Sequence, residues 1–183
     1  HRITASQDAN VYAMARTDRS VLIRRCELET DRPACRDQVI DTLEPEALAL
    51  TRDGSLLAVA GPDGAIAIHN TATGAQTAGG PAGQASPLSL GWSNDNAVLA
   101  VGTRGGALSL VDVNALAPES GAGLLASQKI SRGAVVALRW SPDGDRLAAV
   151  CDEQEICIFE LAEKSENALE EPGQRLFGHT GAI

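Results

Sequence analysis

Three stretches of this chain can be laid over one another without a gap: LALTRDGSLLAVAGPDGAIAIHN (48–70), LSLGWSNDNAVLAVGTRGGALSLVD (88–112) and VALRWSPDGDRLAAVCDEQEICIFE (136–160). With Asp53, Asp95 and Asp143 superposed, Leu50, Trp92 and Trp140 coincide, as do Leu57, Leu99 and Leu147, and the alanines Ala58, Ala100 and Ala148. The next apolar segment matches as well, with Ile66, Leu108 and Ile156, then Ile68, Leu110 and Ile158. An architecture for this chain must therefore repeat one unit at least three times.

The units follow one another at 42 and 48 residues, the period of four-stranded propeller blades. Each copy reads as strands a, b and c, with the tight turn PDG or NDN between a and b, because Pro presets φ and Gly tolerates a positive one. Strict alternation in b and c marks half-buried strands, and the alanines and glycines suit sheets packed closely face to face. A fourth strand is expected near 76–80, 124–130 and 174–177. The predicted fold is all-β, with about three complete four-stranded blades at 47–86, 87–131 and 132–177 and partial blades at both ends. Residues 1–46 read as the end of an earlier blade, with RITASQDANVYAMAR as strands b and c and Asp8 over Asp63, followed by an Arg-rich inter-blade insertion. Residues 178–183 open another blade. Seven blades of about 42 residues need roughly 300, so the expectation is a segment of a longer protein.

The terminal GHTGAI carries a resemblance to the WD-repeat family, whose blades place Gly-His just before strand a; Gly178 and His179 match that dipeptide. Trp140-Ser141-Pro142-Asp143-Gly144 matches the usual a–b turn, and Trp92 and Asp95 hold the same places one unit earlier. Where the family prefers Trp-Asp at the end of strand c, this chain has His69-Asn70, Val111-Asp112 and Phe159-Glu160. Within that family, LGWSNDNAVLAVGTRGGALSLVD followed by GAVVALRWSPDGDRLAAVCDEQEICIFEL and LFGHTGAI resembles the EML group, the echinoderm microtubule-associated-protein-like proteins. The resemblance covers roughly 88–183 and implies a non-catalytic interaction scaffold of the cytoplasm, placed on the cytoskeleton or the cilium axoneme, with tubulin or axonemal proteins as partners. The alternative is a generic WD-repeat platform in another cytoplasmic assembly, such as membrane-traffic machinery.

The formal charge of −9 is unevenly spread. Arg16, Arg19, Arg24, Arg25, Arg32 and Arg36 form a basic island, the candidate partner-binding residues, whereas 152–171 hold eight acids against Lys164. A net acidic body argues against nonspecific nucleic-acid or anionic-membrane binding, which needs a basic face. No apolar run approaches the ~18 residues that span a bilayer.

No catalytic residue, cofactor site or metal site emerges, and the chain is expected not to be an enzyme. GGPAGQAS (79–86) lacks the Lys-Ser/Thr of a phosphate-cradling loop. Asp152, Glu153 and Glu155 cluster like an acid/base or metal site, but in a b–c turn alternation sends neighbours to opposite faces. His69 reads as a packing or surface residue, and Ser141 as a hydroxyl that stabilises its own turn. Cys26, Cys35, Cys151 and Cys157 show no metal-ligand spacing and read as buried free thiols, with a bridge between Cys151 and Cys157 open as an alternative.

Overall fold

The computed structural model of the protein describes residues 2–7, 10–27, 34–42, 44–81, 86–116, 123–152, 155–161, 169 and 172–177. Among them the chain forms four sheets, each of four antiparallel strands in sequence order. The first holds β1 (Ile3–Ala5), β2 (Val11–Ala15), β3 (Ser20–Glu27) and β4 (Ala34–Asp41). The second holds β5 (Ala47–Leu50), β6 (Leu56–Ala60), β7 (Ala65–Asn70) and β8 (Gln76–Pro81). The third holds β9 (Pro87–Trp92), β10 (Val98–Thr103), β11 (Ala107–Asp112) and β12 (Leu124–Lys129), with a single 3-10 turn at Val113–Ala115. The fourth holds β13 (Leu138–Trp140), β14 (Arg146–Asp152), β15 (Glu155–Glu160) and β16 (Gln174–Phe177). The leading strands β5 and β9 lie beside one another, as do β9 and β13 and, at the other end, β1 and β5. Meandering sheets stacked in this way around their first strands are consecutive blades of a β-propeller.

One expectation fails at the N-terminus. Residues 3–41 are not strands b and c with an insertion; they are a complete fourth blade, in which β1 is strand a and the arginine-rich segment supplies strands c and d. The repeat extends to this blade without a gap when Ala13, not the residue five places earlier in the chain, sets the frame: Ser6 falls on Thr51, Ala13 on Ala58, Asp18 on Asp63 and Ile23 on Ile68. Its b–c turn is disguised because Arg19 stands where Gly64 and Gly106 stand in the next two blades. All three adopt positive φ, at 69°, 85° and 84°. A non-glycine residue there is uncommon, and Asp18 supports it by accepting the Ser20 hydroxyl at 2.6 Å and the Ser20 N–H at 3.1 Å.

The a–b turns recur in atomic detail. Thr51, Ser93 and Ser141 each donate a hydroxyl hydrogen bond to the aspartate two residues on, at 2.7, 2.6 and 2.5 Å. Each hydroxyl also accepts the N–H that opens strand b, from Leu56, Val98 and Arg146. Such local loops are the reason Ser, Thr and Asp belong in turns. Gly54, Asn96 and Gly144 then supply the positive φ.

Alternation splits each blade into two apolar faces, and three clusters fill the spaces between neighbours. Val11, Ala13, Val21 and Ile23 meet Leu50, Leu57 and Val59 between the first and second sheets. Ala58, Ile66 and Ile68 meet Trp92, Leu99 and Val111 between the second and third. Ala100, Leu108 and Leu110 meet Leu138, Leu147 and Phe159 between the third and fourth. The alanine of strand b thus always faces forward and the leucine of strand b backward, which explains why both positions superposed in the sequence. On the first sheet the backward positions, Tyr12 and Met14, remain exposed together with Ile3 and Val39.

The cysteines depart from the free-thiol expectation, since all four are paired. Cys26 and Cys35 lie directly opposite one another on β3 and β4, with Cα atoms 4.1 Å apart. Cys26 gives its N–H to Asn10 on the other side, so the pair is of the narrow, non-hydrogen-bonded kind in which side chains approach most closely. Cys151 and Cys157 are bonded across β14 and β15, where the register shifts, and both are fully buried.

Candidate functional site

Two kinds of surface are organised by this fold: the rims, where turns from successive blades meet, and the clefts between blades. On the a–b rim, Asn94 donates through Nδ2 to the carbonyls of Ser141 and Pro142 at 3.1 and 2.5 Å, tying the third blade to the fourth. Gln7 N–H reaches the Arg52 carbonyl at 3.1 Å and ties the first to the second. Inside that rim each tryptophan of strand a bonds backward, Trp92 Nε1 to the Ala49 carbonyl and Trp140 Nε1 to the Gly91 carbonyl, both at 3.0 Å. These acceptors are themselves equivalent in the repeat, and Leu50, buried at the same place in the second blade, can make no such bond.

The opposite rim is tied by ions. Glu46 Oε2 accepts from Arg2 at 3.1 Å and from Arg104 at 2.9 Å, so one carboxylate joins three consecutive blades. The Arg104 hydrogen bond, then the charges of Arg2 and Arg104, hold the Glu46 carboxyl below its usual value of 4.5. Glu46 and Arg104 carry no local sequence signal, and a long-range triad of this kind is invisible to a repeat alignment.

The structure divides the arginine island. Arg16 and Arg19 lie in the b–c turn of the first blade, paired with Asp18 at 3.4 Å and Glu44 at 2.7 Å. Arg24, Arg25 and Arg36 lie toward the other end of the sheet, roughly 20 Å along the strand at about 3.3 Å per residue. Arg24 makes a two-pronged pair with Asp37, 2.7 Å on each prong, which lowers the Asp37 carboxyl and raises the guanidinium. Arg25 points into the next blade, donating to Thr71 Oγ1 at 2.8 Å and to the Gly54 carbonyl at 3.2 Å. Arg36 is exposed on β4, across from Arg25. Arg32, Gly178 and His179 lie outside the described residues. Of the turn signature, Asp143 is held below the usual aspartate value chiefly by the Ser141 hydroxyl, so Ser141 is fully engaged within its own turn. Glu155 is ion-paired with Arg175 at 2.5 Å.

The three inter-blade spaces are filled unequally in their outer halves. At one equivalent position on strand c the second, third and fourth blades carry His69, Val111 and Phe159. In the third and fourth blades the long c–d connection folds apolar residues back over this point, Val113 and Leu116 in one case and Leu161 and Leu169 in the other. In the second blade the c–d connection is a five-residue turn, 71–75, closed by Gly74 at φ 74°, and it returns nothing. Ala65, Ala67, Gly79 and Gly80 are small as well. A cleft of about 670 Å³ results, running beside β7 from Asp41, Thr42 and Asp63 at one rim to His69 and Gln76 at the other. His69 is only 6% exposed and bonds the Gly74 carbonyl through Nδ1 at 3.1 Å. Among the described residues no group of three His, Cys, Asp or Glu is placed to hold a metal ion, and no helix is long and apolar enough to cross a membrane.

No protein-family profile and no curated protein matches the chain. Its fold does match solved structures. A chain described as "Crystal Structure of Mitotic Checkpoint Complex" aligns with a TM-score of 0.72 at 19% identity over 100% of this chain and 57% of that one. The Kuenenia stuttgartiensis hydrazine synthase aligns at 0.74 with 18% identity over 99% of this chain and 49% of that one. The chain thus spans about half the length of these structures, and at such identities the likeness is one of fold. A checkpoint complex and a synthase on one architecture illustrate that function must be argued from the surface rather than from the fold.

Proposed function

We propose that these blades belong to a non-catalytic protein-interaction scaffold that presents partner-binding surfaces on its rims. The observation that carries this reading is the cross-linking of the rim turns: Asn94 bridging two blades on one side, Glu46 joining three on the other. Turns immobilised before a partner arrives lose little freedom on binding, which favours affinity. A photoreactive residue placed in the full-length protein at Asp145 on one rim, or at Gly105 on the other, should give discrete cross-linked products with a protein partner. Both positions are exposed, and a Cβ at 105 would meet nothing nearer than Thr103 Oγ1 at 3.9 Å. Retained partner binding with no product from either rim would overturn the proposal.

The finer reading, from the EML-like motif order in 88–183, puts the scaffold on microtubules or the axoneme. Co-pelleting of the full-length protein with microtubules tests it, and Arg36 and Arg32 are the island positions to neutralise first, since Arg25 is engaged within the fold. Two features favour a basic partner in another assembly: the charge of −9, which repels the acidic tubulin surface at long range, and the ion pairs at Arg16, Arg19 and Arg24. The two disulfides further favour an oxidising compartment over the cytoplasm. Alkylation of the protein from its native source without reductant, followed by mass spectrometry, distinguishes the two settings by whether Cys26 and Cys35 are modified.

A further inference from the structure

We propose that the cleft between the first and second blades is a binding site for an apolar chain with a cationic end group. Its volume of about 670 Å³ lies in the range of sites that enclose small organic ligands. Its middle is apolar, with Val59, Ala65 and Ala67 along one wall, and Ala65 to His69 spans about 13 Å at roughly 3.3 Å per residue. Its ends differ. At one rim stand two carboxylates, Asp41 and Asp63, both exposed, and among the described residues no Lys or Arg lines the cleft. Asp63 uses one oxygen to accept the Ala65 N–H at 3.1 Å, which fixes its orientation and leaves the other oxygen for a ligand.

At the far end His69 makes the cleft more than an acidic surface dent. A carbonyl can only accept, so the Gly74 carbonyl holds the proton on Nδ1 and makes Nε2 of the neutral ring an acceptor. A residue 94% buried that lines the cleft and retains an acceptor is a polar anchor, beside Gln76, at the end of an apolar wall. The corresponding positions in the next two blades, Val111 and Phe159, are plain core. The cation would sit between Asp41 and Asp63, the apolar body along β7, and a donor on the ligand would meet Nε2. An anionic end group is disfavoured at the same rim by both carboxylates and by the net charge of −9. Two sources offer this chemistry, a free organic amine or a lysine following apolar residues in a partner segment.

Calorimetric titration of the full-length protein with 4-phenylbutylamine, 4-phenylbutanol and 4-phenylbutanoate tests the site with one apolar body and three end groups. The amine is expected to bind about tenfold or more tighter than the carboxylate, with the alcohol between them. Asp41→Asn combined with Asp63→Asn should erase that preference while leaving the alcohol unchanged, and Ala67→Leu should fill the cleft and abolish binding of all three. Should Ala67→Leu fail to fold, the surface aspartate variant still decides. Failure of the amine to bind, equal binding by the carboxylate, or a preference that survives the aspartate changes would overturn the proposal. With the site upheld, acetyl-Leu-Val-Lys-amide titrated alongside assigns the source: binding as tight as the amine or tighter points to a partner segment, and no binding points to a free amine.

Discussion

The space between the first and second blades and the space between the third and fourth are built from the same strand positions, yet one holds a cleft of about 670 Å³ and the other, more fully packed, one of about 360 Å³. Between the third and fourth, Phe159 is fully buried, Leu161 and Leu169 close over it, and Gly102 lets the backbones approach. Between the first and second, His69 replaces the aromatic ring, the short turn 71–75 sends nothing back, and polar bonds from Arg25 and Gln7 carry part of the contact. A propeller can thus vary its inter-blade spaces through the length of one c–d connection together with the size of the residues on strands c and d that face it.

The strongest way to break this comparison is to empty the more fully packed space. Phe159→Ala should lower stability by about 3–5 kcal/mol, the range for a buried aromatic cut to alanine. His69→Ala, the equivalent change in the other space, should cost only about 1 kcal/mol for its hydrogen bond. Equal losses in chemical-unfolding midpoints would show that the two spaces are packed alike.

A second comparison concerns adjacent arginines on β3. Arg25→Ala should cost about 1.5–3 kcal/mol, because it removes charged hydrogen bonds to the next blade. Arg24→Ala breaks a solvent-exposed pair with Asp37 and should leave the melting midpoint close to that of the parent, since water and salt screen such pairs. Thermal melts of the two variants side by side settle whether Arg25 ties the first blade to the second.

Glycines sharpen the contrast further. A side chain at Gly102 would meet Ser89 Oγ and lie 2.7 Å from a Val135 methyl and 2.8 Å from the Val135 carbonyl. Gly102→Ala should therefore cost about 1–3 kcal/mol, as overpacking does. At Gly79 the nearest atom is the Gln76 amide at 2.5 Å, the end of an exposed side chain that can swing away, and the nearest backbone atom, the Ile66 carbonyl oxygen, lies at 3.2 Å, so Gly79→Ala should cost less than Gly102→Ala.

The smallest expected effect is the acid sensitivity of the Glu46 triad. Its folded carboxyl titrates below the ordinary 4.5, so the ionised form contributes stability above that value. The contribution is lost as pH falls through the lowered folded value, when the unfolded chain takes up the proton first. With Glu46 part-exposed, about 1 kcal/mol or less is expected. Glu46→Gln should remove that part of the acid limb in a pH series of unfolding midpoints, and an unchanged acid limb would show that the triad does not contribute.

The three interior repeats were legible because their signals are local: alternation in strands b and c, a hydroxyl-aspartate-glycine turn, and one alanine facing forward. The first blade carries the same pattern from Ile3 to Ile23 but lacks the glycine that marks its b–c turn. With Arg19 in that place the turn looks like part of a charged loop, and the nearer aspartate captures the alignment. The place of Ser141 was legible for the opposite reason, since its partners are two and five residues away.

What the sequence determined by itself, then, was the unit: four-stranded antiparallel blades with the leucine and the alanine of strand b on opposite faces, since both follow from spacing within about twenty residues. Tertiary structure alone decided which residues meet between units. It split an arginine cluster over two rims, because a strand carries successive residues steadily away from one another. It brought Cys26 opposite Cys35 through β-register, gathered Arg2, Glu46 and Arg104 from three blades, and left His69 at the end of an open cleft. The last two depend on how far one sheet stands from the next, and that distance is set by packing across the gap rather than by the residues along either strand.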